Sequence, residues 1–258
     1  MIFVLGIDAA TFRVIKPNFG KLPTFKKLCE IGKCQELVLK EKPVSPSVWC
    51  GMFSGKTVEE HRHESFAVRD KLVKREDIEV EFIWDILHKD GKKVRVLNIP
   101  FVVPPYCFGV DFRPVGFGLP TNEKEWQEEL DRVSEKTSEL LVESPDLIIS
   151  VYTLLDRVQH FHWGEDCVVK WYMRLDSKIG QILLTTAFLE EKKNKLIVIS
   201  DHGFCSFGEA KIQTLPQRTD KGNLKGDHDE NAILITVNLD YKIERPQDVF
   251  FALKRSLQ

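Results

Sequence analysis

The stretch Leu196-Ile197-Val198-Ile199-Ser200-Asp201-His202-Gly203-Phe204 decides the reading of this chain. Four apolar residues in a row, three of them β-branched, predict a strand buried on both faces. The polarity then flips. Ser200, Asp201 and His202 stand where such a strand ends, and Gly203 lets the backbone turn. In an open α/β sheet, ligands bind beyond the carboxyl ends of the strands. An Asp-His pair there offers a hard oxygen and an imidazole nitrogen, a combination suited to a divalent metal. An Asp that caps the next turn beside a packed His accounts for the same residues.

Working outward, the chain repeats this pattern. Ile2 to Ile7 is a second buried strand, and it hands Asp8 to its C-terminal end; capping of the following turn is the competing reading. Asp146 to Thr153 is a third such strand, running into Leu154-Leu155-Asp156-Arg157-Val158-Gln159-His160. If a helix starts there, Asp156 and His160 lie four apart on one face, which suits two ligands of one metal or a plain ion pair. Gly226-Asp227-His228 precedes a strand over Ala232 to Val237. Strands are also predicted over Cys34–Leu39 and Lys93–Ile99. Helices are predicted over Leu22–Ile31 with Thr24 as its cap, Phe82–His88, Glu123–Val142, Val168–Leu189 and Gln247–Leu257. The charge run of Glu123–Val142 reads as a solvated face. Strand and helix alternate, so the fold class is α/β: a three-layer α/β/α sandwich with a mostly parallel central sheet.

Pro43-Val44-Ser45-Pro46-Ser47-Val48-Trp49 is a stiffened loop leading into a small-residue helix that ends near Gly55. A hydroxyl at a helix start is well placed beside an anion. Ser45 and Ser47 read equally well as helix caps. From Pro100 to Pro120 the chain is a long loop rich in proline and glycine, of the kind that often carries function.

The composition excludes several classes. A length of 258 residues with 43% hydrophobic and 29% charged residues is ordinary for one large α/β domain, here taken as residues 1–258. A net charge of −2 gives no footing for nucleic acid or an anionic membrane surface. Cysteines 29, 34, 50, 107, 167 and 205 are scattered, without a Cys-x-x-Cys pair, and read as reduced thiols of a cytoplasmic protein. The N-terminus lacks the basic region of a signal peptide. No apolar run approaches the roughly 18–20 residues that span a bilayer.

Five blocks, taken in order, resemble the alkaline phosphatase superfamily, in particular its type I phosphodiesterase/nucleotide pyrophosphatase branch and related phosphohydrolases or phosphomutases. They are Leu5-Gly6-Ile7-Asp8-Ala9-Ala10-Thr11-Phe12 with Lys21-Leu22-Pro23-Thr24-Phe25; Ser45-Pro46-Ser47-Val48-Trp49 leading to Phe53-Ser54-Gly55-Lys56; Ile83-Trp84-Asp85-Ile86-Leu87 with Leu97-Asn98-Ile99-Pro100; Asp156-Arg157-Val158-Gln159-His160-Phe161-His162-Trp163; and Ser200-Asp201-His202-Gly203-Phe204. The resemblance implies two divalent metal ions. Asp8, Asp201 and His202 would hold one, and Asp156, His160 and His228 the other. Ser45, ten residues before Gly55, would be the nucleophile, with Ser47 the runner-up. Zinc fits the nitrogen-rich set, and manganese fits the three carboxylates. Two neighbouring metals can hold the attacking and leaving oxygens of a phosphoryl displacement. The implied activity is hydrolysis of a small phosphodiester or nucleotide pyrophosphate. A phosphomonoesterase or phosphomutase on the same site is the alternative, as is a member that binds metal or nucleotide without catalysis. No arginine is evident for the extra charge of a monoester.

Three departures accompany the match. His61-Arg62-His63 stands where relatives have His-Gly, which puts the local turn in question. Asp227, Asp229 and Glu230 make the surroundings of His228 acidic. About two dozen residues separate His202 from His228, so a cap domain is expected to be absent and the site open. Lys56, His61 and Asn98 are further candidates for contact with substrate phosphate.

Overall fold

The computed structural model describes residues 1–115 and 122–257. Their main sheet has seven strands, in the order Lys33–Val38, Asn231–Val237, Lys195–Ile199, Ile2–Ile7, Leu147–Tyr152, Val94–Ile99 and Tyr106–Phe108. Ile2–Ile7 pairs in parallel with both Leu147–Tyr152 and Lys195–Ile199, and Leu147–Tyr152 pairs in parallel with Val94–Ile99. Asn231–Val237 and Tyr106–Phe108 run the other way, so five of the seven strands share one direction. The mostly parallel α/β class is as expected. Antiparallel pairing enters only toward the two edges, where no βαβ crossover is needed.

Buried strands still alternate between faces. Phe3, Leu5 and Ile7 join one hydrophobic cluster with Phe25, Leu28, Trp126, Leu155 and Trp171 from the helices Pro23–Ile31, Glu123–Val142, Leu154–His162 and Asp166–Thr185. Ile2 and Val4 join the opposite cluster with Trp49, Phe53, Trp84 and Val249 from Ser45–Ser54, Ile83–Lys89 and Asp248–Leu257. Layers of helix cover both faces, which completes the sandwich. Sequence-derived boundaries shift by a few residues only: Val168–Leu189 is Asp166–Thr185 followed by a short 3-10 turn at Phe188–Glu190. Thr24 does not cap its helix; Pro23 opens it, and the buried carboxylate of Asp176 accepts the Thr24 and Phe25 N–H groups at 3.1 and 2.8 Å. Glu123–Val142 is not merely a solvated face, because Glu129 lies on its inner stripe and is only 1% exposed.

Two features set the position of Ser45. All ten residues of Ser45–Ser54 are buried, with Trp49 stacked on Phe53 at 5.9 Å between ring centroids. The helix also lies directly against the strand Ile2–Ile7, because Gly6 has no side chain there. A Cβ on Gly6 would stand 2.7 Å from Val151 Cγ2 and 2.8 Å from Trp49 Cη2. Gly6→Ala therefore overpacks this contact and destabilises the fold by about 1–3 kcal/mol. The measurement is thermal unfolding; an unchanged Tm would mean that Trp49 gives way freely and does not fix the helix.

Candidate active site

The parallel register gathers three strand ends. Ile7 stands opposite Tyr152 and Gly6 opposite Ile199, so Asp8, Thr153 and Ser200 leave the sheet side by side. Asp8 donates its N–H to the Tyr152 carbonyl at 2.9 Å. Ser200 ties the ends together: its hydroxyl donates to the Ala10 carbonyl at 3.0 Å and accepts the Ile233 N–H at 2.8 Å. Gln159 locks the loop after Asp8 onto the helix Leu154–His162, donating to the Ala9 carbonyl at 2.9 Å.

A first group of side chains meets at His202. Its Nε2 lies 3.5 Å from Asp8 Oδ1, 3.3 Å from Asp201 Oδ2 and 3.3 Å from Ser45 Oγ. Its Nδ1 faces the Gly203 carbonyl at 3.0 Å. A proton on Nδ1 satisfies that carbonyl and leaves the Nε2 lone pair facing the acids. Burial and the neighbouring His228 push the His202 imidazole down to about 3, so the ring is neutral near pH 7.

A second group meets at Asp156. Its Oδ1 lies 3.2 Å from both His160 Nε2 and His228 Nε2, and those two nitrogens are 3.1 Å apart. Again each Nδ1 faces a backbone carbonyl, Gly226 at 3.2 Å for His160 and Pro43 at 2.7 Å for His228. The His202 and His228 rings stack at 3.7 Å and join the two groups. Ligand atoms of Asp8, Asp156 and His202 also lie within 4.8 Å of one another, so Asp156 reaches both. His228 arrives by a device absent from the sequence reading: Gly203–Ser206 and Gly226–Asp229 form an antiparallel ribbon that puts His228 opposite Phe204. Gly203 serves close approach there and not a left-handed turn, since a Cβ would meet the Asn231 carbonyl oxygen at 2.3 Å.

The donor chemistry fits divalent cations. Asp8 Oδ1, Asp156 Oδ1 and Asp201 Oδ2 are buried without a hydrogen-bond partner. Burial, with the Asp201 and Asp156 charges added, holds the Asp8 carboxyl well above its usual range, and burial lifts Asp201 to about 6. Asp156 is held low by the imidazoles of His160 and His228. Three imidazoles oriented through Nδ1 onto backbone carbonyls, each presenting Nε2 to carboxylates, match the outer-shell arrangement that orients metal-ligating histidines.

Six side chains named for metal and Ser45 thus come together. Ser47 does not: its hydroxyl is buried without a partner, and it does not line the cavity that Ser45 borders. The cavity beside Asp8, Ser45 and Asp156 measures about 120 Å³ and is walled by Phe66, Pro100, Val102, Val103, Pro105, Thr153 and Arg157. The open site expected from the short chain is therefore corrected. The segment carrying Phe66 and the loop after Val94–Ile99 supply the wall; the part of that loop at 116–121 lies outside the described residues. Lys56, His61 and Asn98 do not border this cavity. Lys56 pairs with Glu60, Asn98 donates to the Val151 carbonyl at 2.9 Å, and His61 accepts the His63 N–H at 3.0 Å. Arg62 adopts φ 56° and makes the turn that the sequence put in question. The acids around His228 are also neutralised locally: Asp227 accepts from Thr214 and the His228 N–H, Asp229 pairs with Arg13 at 2.7 Å, and Glu230 pairs with Lys211.

Sequence reasoning missed Arg157, Thr153, Phe66 and Glu129. For Glu129 a signal existed. It falls on the stripe Trp126, Leu130, Val133, Thr137, Leu140, where an acid is buried and needs a partner.

A mostly parallel sheet between helical layers, with buried acids and imidazoles beyond its strand ends, defines an alkaline phosphatase-like hydrolase fold. Within that class, the chain belongs to the type I phosphodiesterase / nucleotide pyrophosphatase family, whose model matches residues 2–256, and it is a phosphoric ester hydrolase. Among solved structures it is similar to phosphonoacetate hydrolase from Sinorhizobium meliloti 1021 (TM-score 0.72, 12% identity, covering 98% of this chain and 95% of that one). It is also similar to murine ectonucleotide pyrophosphatase / phosphodiesterase 5 (TM-score 0.70, 14% identity, 99% and 94%). A 2-O GAG sulfatase, BT1596, shares the fold at a TM-score of 0.65 with 10% identity, over 99% of this chain and 70% of that one. No curated protein matches the chain. Among the described residues, no helix is long and apolar enough to cross a membrane.

Removing divalent metal with a chelator is expected to lower Tm by about 5–10 °C, because a ligand at a hundred times its Kd adds about 2.7 kcal/mol in a chain of this size. Zinc or manganese restores it, and Asp201→Asn removes most of the gain. Identical melting curves with and without metal would show that these carboxylates do not hold a cation.

Proposed function

We propose that the chain, residues 1–258 as one unit, hydrolyses small phosphodiesters or nucleotide pyrophosphates, with Ser45 as nucleophile and two divalent cations as cofactors. Asp8, Asp201 and His202 would hold one cation, and Asp156, His160 and His228 the other. Bound there, the cations would supply positive charge to the phosphoryl oxygens, the main requirement of phosphoryl transfer. Zinc suits the three imidazoles, with manganese the alternative.

The observation that carries this reading is the position of the Ser45 hydroxyl. It stands at the first residue of a buried ten-residue helix, 3.3 Å from His202 Nε2, on the cavity that Asp8 and Asp156 also border. The helix dipole favours negative charge at that end. Ser45 Oγ loses its proton to solvent and forms the bond to phosphorus while the ester bond breaks; the electron pair leaves with the ester oxygen, which takes up a proton. Water then cleaves the Oγ–P bond of the resulting serine phosphodiester, releases the phosphomonoester and restores the hydroxyl. The wall of Phe66, Pro100, Val102, Val103 and Pro105 gives the leaving group an apolar surface. The neighbours are consistent with a small substrate: the bacterial hydrolase was solved with phosphonoacetate and the murine protein, as an inactive form, with AMP. Six free cysteines support a reducing, cytoplasmic setting. A phosphomonoesterase is the second reading, and Arg157 on the cavity wall is what favours it.

The test is hydrolysis of bis-p-nitrophenyl phosphate beside p-nitrophenyl phosphate with zinc, manganese or magnesium added in turn. Ser45→Ala is expected to lower kcat about a thousandfold or more while metal content is kept, and Ser47→Ala to keep most activity. Full activity in Ser45→Ala would remove Ser45 as nucleophile.

A further inference from the structure

Arg157 sits one residue after Asp156 on the helix Leu154–His162 and borders the cavity together with Asp8, Ser45, Thr153 and Asp156. It is only 7% exposed. A guanidinium so buried needs a partner, and its Nη1 donates to Glu129 Oε2 at 2.8 Å. Glu129, 1% exposed, has no freedom to swing away. It also accepts the Thr153 N–H at 2.6 Å and the Thr153 hydroxyl at 2.9 and 3.0 Å. The carboxylate thus anchors the arginine from behind, and Thr153 anchors the carboxylate to the end of the strand Leu147–Tyr152. Only one of the guanidinium nitrogens has a hydrogen-bond partner among the described residues; Nε and Nη2 have none there, and neither is fully buried.

A pair that served packing alone would gain by closing both edges of the fork on the carboxylate. Here one edge is left without a partner on a side chain that lines the same cavity as Ser45. Arg157 is near enough to the acids to draw the Asp8 carboxyl downward against the other influences on it. Glu129 does not border the cavity, so from inside it the nearer charge is the cation. Over longer distances the pair is neutral, and its contribution is therefore short-range and directional.

We propose that Arg157 is a substrate-binding residue whose free N–H groups take the additional anionic oxygen of a terminal phosphoryl or phosphonyl group, with Glu129 as its positioning residue. A diester carries one negative charge on phosphorus, and its second ester group occupies the place of that oxygen. A terminal phosphoryl group presents a third non-bridging oxygen, which a planar guanidinium fork can receive with directed hydrogen bonds. Among the substrates of the hydrolytic reading, Arg157 thus favours those with a doubly charged terminal group, a nucleotide pyrophosphate that ends in a phosphate or the phosphomonoester of the second reading, over a simple diester. The inference rests on the hydrolytic reading of the same cavity.

The experiment compares the metal-loaded enzyme with Arg157→Lys and with the double variant Arg157→Met/Glu129→Gln, which leaves no unpaired buried charge. Metal content and Tm are measured for each. The readout is the ratio of kcat/KM for p-nitrophenyl phosphate to kcat/KM for bis-p-nitrophenyl phosphate, with binding of inorganic phosphate at pH 8 by calorimetry. The ratio is expected to fall about tenfold or more in both variants, as befits lost hydrogen bonds to a charged group, through a raised KM for the monoester. Phosphate binding weakens in parallel. Equal losses on both substrates, or phosphate bound as tightly by the variants as by the parent, would overturn the proposal. Should the parent hydrolyse neither ester, the hydrolytic reading fails by itself. Phosphate then decides alone: binding by the parent that the variants lose supports Arg157, and absent or equal binding sinks it.

Discussion

Asp8, Asp156 and Asp201 put three carboxylates where little water reaches, and the protein gives three of their oxygens no donor. Oxygens of Asp8 and Asp156 lie within 4.8 Å of each other, and with both ionised they repel by a few kcal/mol even at an effective dielectric of about 20. A single hydrogen bond returns only about 1 kcal/mol, so no rearrangement of neighbouring hydroxyls or amides could offset the crowding. A cation can. Much of the local structure follows from that one constraint. Each of the three histidines is turned so that Nδ1 meets a backbone carbonyl and Nε2 meets a carboxylate. His202 is held neutral by burial, the form in which an imidazole ligates a metal. The sheet register, the Ser200 staple and the Gln159 bridge hold the strand ends that carry these side chains together.

What could be read in the sequence was whatever local pattern determines. Buried strands that end in Asp8, Ser200-Asp201 and Thr153 show themselves as apolar runs that turn polar, and a parallel sheet puts such ends on one edge. Asp156 and His160 are fixed by helical spacing. His228 was reachable only through resemblance, because its place depends on a ribbon whose strands, Gly203–Ser206 and Gly226–Asp229, lack the alternation that marks a strand. The walls were not legible for a similar reason. Phe66 and Val102 are ordinary apolar residues until the chain folds them onto the cavity that Ser45 borders, and no local rule says which loop closes over which site. Glu129 is the instructive miss. It sits on the apolar stripe of a charged helix, and its partner lies 28 residues away on another element.

The departures from the family pattern change side chains and leave the geometry. Arg62 takes a left-handed turn at a position suited to glycine, with Thr57 and Glu60 capping the same short helix. Asp227, Asp229 and Glu230 look, in sequence, like a negative field around His228. In the fold each is matched by a donor or a cation close by. Charge in a sequence is thus a poor guide to charge in a pocket.

The same distinction bears on the cation that does face the cavity. Many basic residues of this chain sit in exposed ion pairs, which contribute little. Arg157 differs in being buried, in leaning on a carboxylate that is itself tied to a strand end, and in leaving part of its fork unused. Burying that ion pair costs desolvation that its mutual attraction only partly returns, and an apolar pair of similar volume would serve packing as well. Its presence beside the Ser45 hydroxyl is better accounted for by the anion the cavity receives than by the stability of the helices it joins.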